Sequence, residues 1–140
     1  MTGQPNPKRR VVFWQNIPSP HQQPSLVELA RLRPNGVVCI WAQRLPPDRR
    51  ALGWQTPGFS GVEERFLDAD VAGGQIRSLL DEEHEAVHVF SGVGAYPPIS
   101  RAIDEAVRAG VERVGLMMEA GIRMGWRGAL RPLRSRLQLR

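Results

Sequence analysis

Two short apolar runs, Val11 to Gln15 (VVFWQ) and Val37 to Ala42 (VVCIWA), limit what this chain can fold into. Both are bounded by turn-forming residues and are rich in β-branched and aromatic side chains, which marks them as strands. The second is apolar at every position, so neither of its faces is built to meet water. Strands of that kind lie inside parallel sheets covered on both sides. A helical pattern, Ser25 to Arg33, separates the two runs. Ser25 is placed as its N-cap, with Glu28 completing a capping box. Leu26, Leu29 and Ala30 form one apolar face, and Pro34-Asn35-Gly36 ends the helix.

The same alternation continues to the end of the chain. Val62 to Leu67 is a weaker strand suited to an edge. Val71 to Glu83 reads as a helix capped by Asp70, with Ile76, Leu79 and Leu80 as its stripe. Asp81 to Glu85 (DEEHE) is a charged helix end rather than a metal cluster, since no second ligand group stands at a suitable spacing. Ala86 to Phe90 is a strand in which His88 is a packed core histidine. Ile99 to Ala109 is an amphipathic helix expected to turn Ile103, Ala106 and Val107 inward. Arg113 to Met118 is a last strand, and Ala129 to Arg140 a short basic helix with Pro132 near its start. The expected fold is α/β: an open, mostly parallel Rossmann-like sheet of about five strands with helices on both faces. Residues 1–9 read as a disordered leader and residues 10–140 as one domain.

The chain of 140 residues carries a formal net charge of +5. Lys8 is its only lysine, an arginine bias that a GC-rich genome produces by itself. The distribution says more. After Glu119 there is no acidic residue, while Arg123, Arg127, Arg131 and Arg134 follow, and such a basic end attracts phosphate-bearing partners. The single cysteine, Cys39, lies in an apolar run, which excludes an intrachain disulfide and favours a structural thiol. No apolar run is long enough to span a bilayer, and the leader lacks the apolar segment of a secretory signal, so a cytoplasmic protein is expected.

Loops leaving the carboxyl ends of parallel strands form the ligand crevice of such sheets. The loop after the first strand, Asn16 to Pro24, carries Asn16, Ser19, His21 and Gln22, all able to bond a hydroxylated ligand. The loop Ser91-Gly92-Val93-Gly94 lacks the third glycine of a dinucleotide fingerprint and follows a late strand, which argues against a nicotinamide or flavin. Glu119 stands just past the last strand. Gln43 to Ser60 is too long for a simple connection, and Trp54 within it either pins the loop or stacks on a ligand.

Three segments carry a family resemblance: FWQNIPSPHQQPSLVELA, AVHVFSGVGAYPPISRAI and VGLMMEAGIRMGWRGALRPL. In order and spacing they resemble the N-terminal half of a GT-B glycosyltransferase of the retaining family 4, or group 1, type, which builds bacterial polysaccharides and glycolipids. The resemblance covers most of the chain from Arg10 on. It implies an acceptor-side domain in which Asn16, Ser19, Gln22, Ser91 and Gly92 contact the acceptor. Glu119 and His21 are then the candidate catalytic residues, and no cofactor or metal is implied. Arg123, Arg127, Arg131 and Arg134 resemble the surface by which some members dock on anionic membranes, which would place the protein on the inner membrane face.

Two departures stand out. Ser91 occupies a position where many members have a histidine. The donor-binding half, which holds the nucleotide sugar in the family, has no counterpart here. The chain is therefore expected to be inactive alone, as a fragment, a truncated product or one subunit of a split enzyme. Expected partners are a sugar or lipid-linked acceptor, a nucleotide-sugar donor held by the missing half, an anionic membrane, and a second copy paired through the exposed cleft face. Nucleic acid is disfavoured, because the aromatics are not interleaved with the arginines. The alternative is a small doubly wound binding or regulatory domain without catalysis. A receiver domain would need aspartates at strand ends that this chain lacks, and a flavodoxin-like phosphate loop would need backbone donors that Pro18, Pro20 and Pro24 remove.

Overall fold

The computed structural model describes residues 9–68, 73–92 and 94–118. Five strands form one sheet: β1 (Val11–Gln15), β2 (Val37–Trp41), β3 (Glu63–Phe66), β4 (Val87–Ser91) and β5 (Val114–Met117). Their order is β3-β2-β1-β4-β5, and every neighbouring pair is parallel. The connecting helices are α1 (Gln23–Leu32), α2 (Pro47–Ala51), α3 (Gly74–Glu82) and α4 (Pro97–Arg108). The expected Rossmann-like α/β fold is the one observed, with the weak strand at an edge as its sequence suggested.

Alternation along each strand sorts the core into two layers. On one face Val12, Trp14, Val38, Ile40 and Phe90 meet Ile76, Leu79 and Leu80 of α3 and Ile99, Ala102 and Ala106 of α4. On the other, Cys39 and Trp41 pack with Leu26 of α1 and Phe59, flanked by Phe13, Val62 and Phe66. All five residues of β2 are buried, as a strand covered on both faces requires.

Two local expectations need correction. Helix α1 starts at Gln23, not Ser25, and no side chain caps it. Pro24 sits in its first turn, where the missing N–H is not needed, and so moves the start upstream. Glu28, expected to close a capping box, instead accepts two hydrogen bonds from Arg31 at 2.9 and 2.7 Å. In α4, Ala106 is buried, but Val107 is 72% exposed. The buried stripe runs through Ile99, Ala102 and Ala106. Val107 stands one residue, about 100°, past Ala106 and leaves the interface. The long stretch after β2 contains a helix, α2, that was not foreseen. The proposed cap Asp70 and the basic helix from Ala129 lie outside the described residues.

Two polar devices fix the sheet from inside. The first is His88, fully buried on β4. The Trp14 indole N–H donates to its Nδ1 at 3.1 Å, so Nε2 carries the proton and donates to the Glu83 carbonyl at 3.0 Å. Both ring nitrogens are used, which ties β1, β4 and the end of α3 together. Burial pushes the His88 pKa down, and the bond to the Glu83 carbonyl only partly opposes it. The second device is Arg10, just before β1. It bonds Glu83, whose side chain is 6% exposed, at 2.7 Å, and also pairs with Glu63 on β3. Arg65 continues the chain of charges from Glu63 to Glu82. Burial pushes the Glu83 carboxyl up, and Arg10 pulls it back.

His88→Leu strands an indole N–H and a carbonyl, so it should lower stability by roughly 2–4 kcal/mol in urea denaturation. Because the folded pKa of His88 lies below its unfolded value, the unfolded chain takes up the proton first. Stability contributed by this group is therefore complete above about pH 6.5 and declines as pH falls toward the depressed folded value. His88→Leu should flatten that decline; an unchanged slope would assign it to other groups. Arg10→Met should cost about 1–3 kcal/mol, because it leaves the Glu83 carboxylate buried without its partner. That deficit should shrink in acid, where Glu83 takes a proton.

Candidate functional site

Strand β1 lies between β2 and β4, and the chain leaves its two sides in opposite directions. Helix α1 returns over one face to β2, and α4 packs on the other. The loops after β1 and β4 therefore diverge and leave a crevice at the carboxyl edge, the place where ligands bind in sheets of this order.

Proline and hydrogen bonds shape the first loop. Pro18 is buried, the Gln22 N–H donates to the Ser19 carbonyl at 3.1 Å, and the His21 N–H donates to Ser19 Oγ at 3.3 Å. This tight turn brings Gln22 back under the end of β1. Its Nε2 donates to Gln15 Oε1 at 2.9 Å. Gln15, the last residue of β1, is 1% exposed. Trp14 is in register with Phe90, so Gln15 and Ser91 follow side by side on the α1 face of adjacent strands.

The bonding of these groups is incomplete. Gln15 Nε2, Gln22 Oε1 and Ser91 Oγ are each buried without a hydrogen-bond partner. A buried amide or hydroxyl left unpaired costs about 1–3 kcal/mol, so folded chains rarely tolerate several together. Arg10 Nε and Arg33 Nε, at the other edge, are unpartnered as well. The two donor groups and the acceptor at the carboxyl edge are open to water or to a polar ligand. The groups are uncharged, so they suit hydroxyl or amide functions better than a phosphate.

The other predicted site residues fall around this center in different ways. Gly92 follows Ser91 with φ +74°, and its N–H donates to the Met117 carbonyl at 2.8 Å, joining the loop to β5. A side chain at that φ would be strained. Asn16 is engaged with the loop after β2: Gln43 donates to its Oδ1 at 3.2 Å and to its carbonyl at 3.0 Å. Ser19 shapes the turn. His21 points away from Gln15 chemistry toward the long loop, edge-on to Trp54 with ring centers 5.5 Å apart. Glu119, Arg123, Arg127, Arg131 and Arg134 lie outside the described residues.

Sequence reasoning missed Gln15. It was counted with the strand, yet a lone amide closing an apolar run at a carboxyl edge was the available signal. Glu83 was likewise read as part of a charged helix end, and burial with the Arg10 ion pair gives it a structural role. Cys39 is buried and uninvolved: burial, and then the charge of Glu64, push its thiol up to about 12, which leaves no thiolate for chemistry. No group of metal-ligating side chains occurs among the described residues. No family model, no curated protein and no solved structure matches this chain.

Ser91→Ala removes an unpaired buried hydroxyl, so the free chain should become more stable by roughly 1 kcal/mol in urea denaturation. A clear loss of stability would mean that the hydroxyl already has a partner in the free chain.

Proposed function

We propose that this chain is the acceptor-side half of a glycosyltransferase. In this reading it holds the hydroxyl to which a sugar is moved from a nucleotide-sugar donor, in polysaccharide or glycolipid synthesis. The observation that carries the reading is the trio of unpartnered buried atoms on Gln15, Gln22 and Ser91 at the carboxyl edge. An acceptor sugar offers hydroxyls that donate and accept at once, which is the complement of two amides and a hydroxyl. The uncharged character of these groups supports an acceptor rather than a diphosphate donor. The strand order also bears on the alternative of a small regulatory domain. Receiver and flavodoxin-like domains follow the order 2-1-3-4-5, and this sheet has β3-β2-β1-β4-β5.

The division of labour is then simple. The crevice orients the acceptor hydroxyl at the sheet edge, and a donor-binding half supplies the nucleotide sugar and electrostatic stabilisation of the transition state. Glu119 is the candidate for handling the acceptor proton, since His21 is turned toward Trp54. The arginines from Arg123 to Arg134 would draw the domain to an anionic membrane carrying lipid-linked acceptors, a contact that weakens with salt. No helix among the described residues is long and apolar enough to cross a membrane.

A glycan array probed with the chain tests this reading. Retention of neutral saccharides is expected, with binding reduced about tenfold in Gln15→Leu, the loss that one unpaired hydrogen bond to a ligand produces. UDP- and GDP-sugars should bind far more weakly. Tighter binding of a nucleotide, or no retained saccharide at all, would reject the acceptor role.

A further inference from the structure

A second concave site lies beside the crevice. A cleft of about 510 Å³ opens between the β1–α1 loop and residues 53–58, lined by His21 and Gln23 on one side and Trp54, Gln55, Thr56 and Gly58 on the other. Its size falls in the range of small-molecule sites. Apart from His21, its lining contains no ionisable side chain.

The walls are held in place by contacts around the cleft. The Arg49 guanidinium lies over one face of the Trp54 ring, 5.2 Å from its center, and His21 meets the indole at an interplanar angle of 82°. The Trp54 N–H donates to the Arg49 carbonyl at 3.1 Å, anchoring the residue to the end of α2. Gln23 Nε2 donates to the Gly58 carbonyl at 2.8 Å and closes the far end. Trp54 thus does pin the long loop, yet it remains only half-buried, and its accessible part belongs to the cleft. A large indole left partly open and braced on two sides is a preorganised stacking surface.

We propose that this cleft is a second saccharide subsite, which takes an uncharged sugar ring against Trp54. The ring's C–H face suits the indole, while Gln55 and Thr56 offer directional bonds to hydroxyls around it. No arginine or lysine lines the cleft itself, but the Arg49 guanidinium lies over the Trp54 ring beside it, so the charged control below decides between an uncharged ring and a phosphate-bearing one. His21 and Gln22 are adjacent in sequence; one lines the cleft, and the other completes the amide pair of the crevice. The two sites are therefore built on a single loop. That the ligand is the acceptor rests on the function proposed above; the cleft chemistry does not.

The test is a ¹H–¹⁵N NMR titration of the intact chain with maltohexaose, cellohexaose and laminarihexaose, with UDP as the charged control. At least one hexasaccharide should shift the Trp54 indole and the Gln55 side-chain amide. Trp54→Ala should weaken its binding at least about tenfold, and Trp54→Phe, which keeps an aromatic ring against His21 and Arg49, should restore most of it. The proposal is overturned if no hexasaccharide moves Trp54, if Trp54→Ala binds like the parent, or if UDP moves the same signals more strongly. Ser91→Ala separates the two ideas. If it also weakens hexasaccharide binding, one ligand spans both sites. If only the Trp54 variant weakens it, the cleft stands as a saccharide site, and the acceptor reading of the crevice fails.

Discussion

The central position of β1 is the constraint on which the rest of the structure depends. Its backbone is bonded to β2 on one side and to β4 on the other, so the sheet has no freedom at its middle. The chain crosses from β1 to β2 over one face and from β4 to β5 over the other. A crevice at the carboxyl edge is the geometric consequence of that reversal, whatever chemistry the crevice performs. Side-chain alternation then decides which residues reach it. Gln15 and Ser91 arrive together because the register that pairs Trp14 with Phe90 places them next in line.

Polar groups inside this sheet fall into two kinds. His88, Trp14 and the Glu83 carbonyl form a closed set in which each donor has an acceptor. Arg10 and Glu83 are matched in charge at the amino edge. These groups stabilise the fold, although Arg10 Nε and, nearby, Arg33 Nε are also buried without a partner. At the carboxyl edge the bonding is left open on Gln15, Gln22 and Ser91. Functional sites commonly hold such unpaired groups at a cost in stability, and the three at the carboxyl edge differ from the two arginine nitrogens at the amino edge in being uncharged and adjacent to the loops after β1 and β4.

The fold was largely legible in the sequence because parallel strands buried on both faces leave continuous apolar runs. Val37 to Trp41 is such a run, and its burial at every residue matches its composition. The start of α1 was misread because Ser25 and Glu28 imitate a capping box, while Pro24 could already begin the helix and Arg31 claimed the glutamate. Val107 was misplaced because a stripe of small residues, Ala102 and Ala106, faces inward more closely than its larger neighbour. For the candidate site, Gln22 was singled out from its loop after β1, while Ser91 and Gly92 entered only through the family resemblance. Gln15 was not, since its role depends on a register that only the folded sheet defines. Trp54 was recognised as either pin or platform, and the contacts with His21 and Arg49 show that it pins while staying partly open.

The central claim is that the carboxyl-edge crevice is completed by a hydroxylated, uncharged ligand. The most direct measurement is the environment of the Gln15 side-chain amide protons in ¹⁵N-labelled chain, followed as an array-selected saccharide is added. Formation of the missing hydrogen bond should move these protons downfield and slow their exchange with solvent. Unchanged Gln15 signals at saturating saccharide would contradict the account, whatever shifts occur elsewhere.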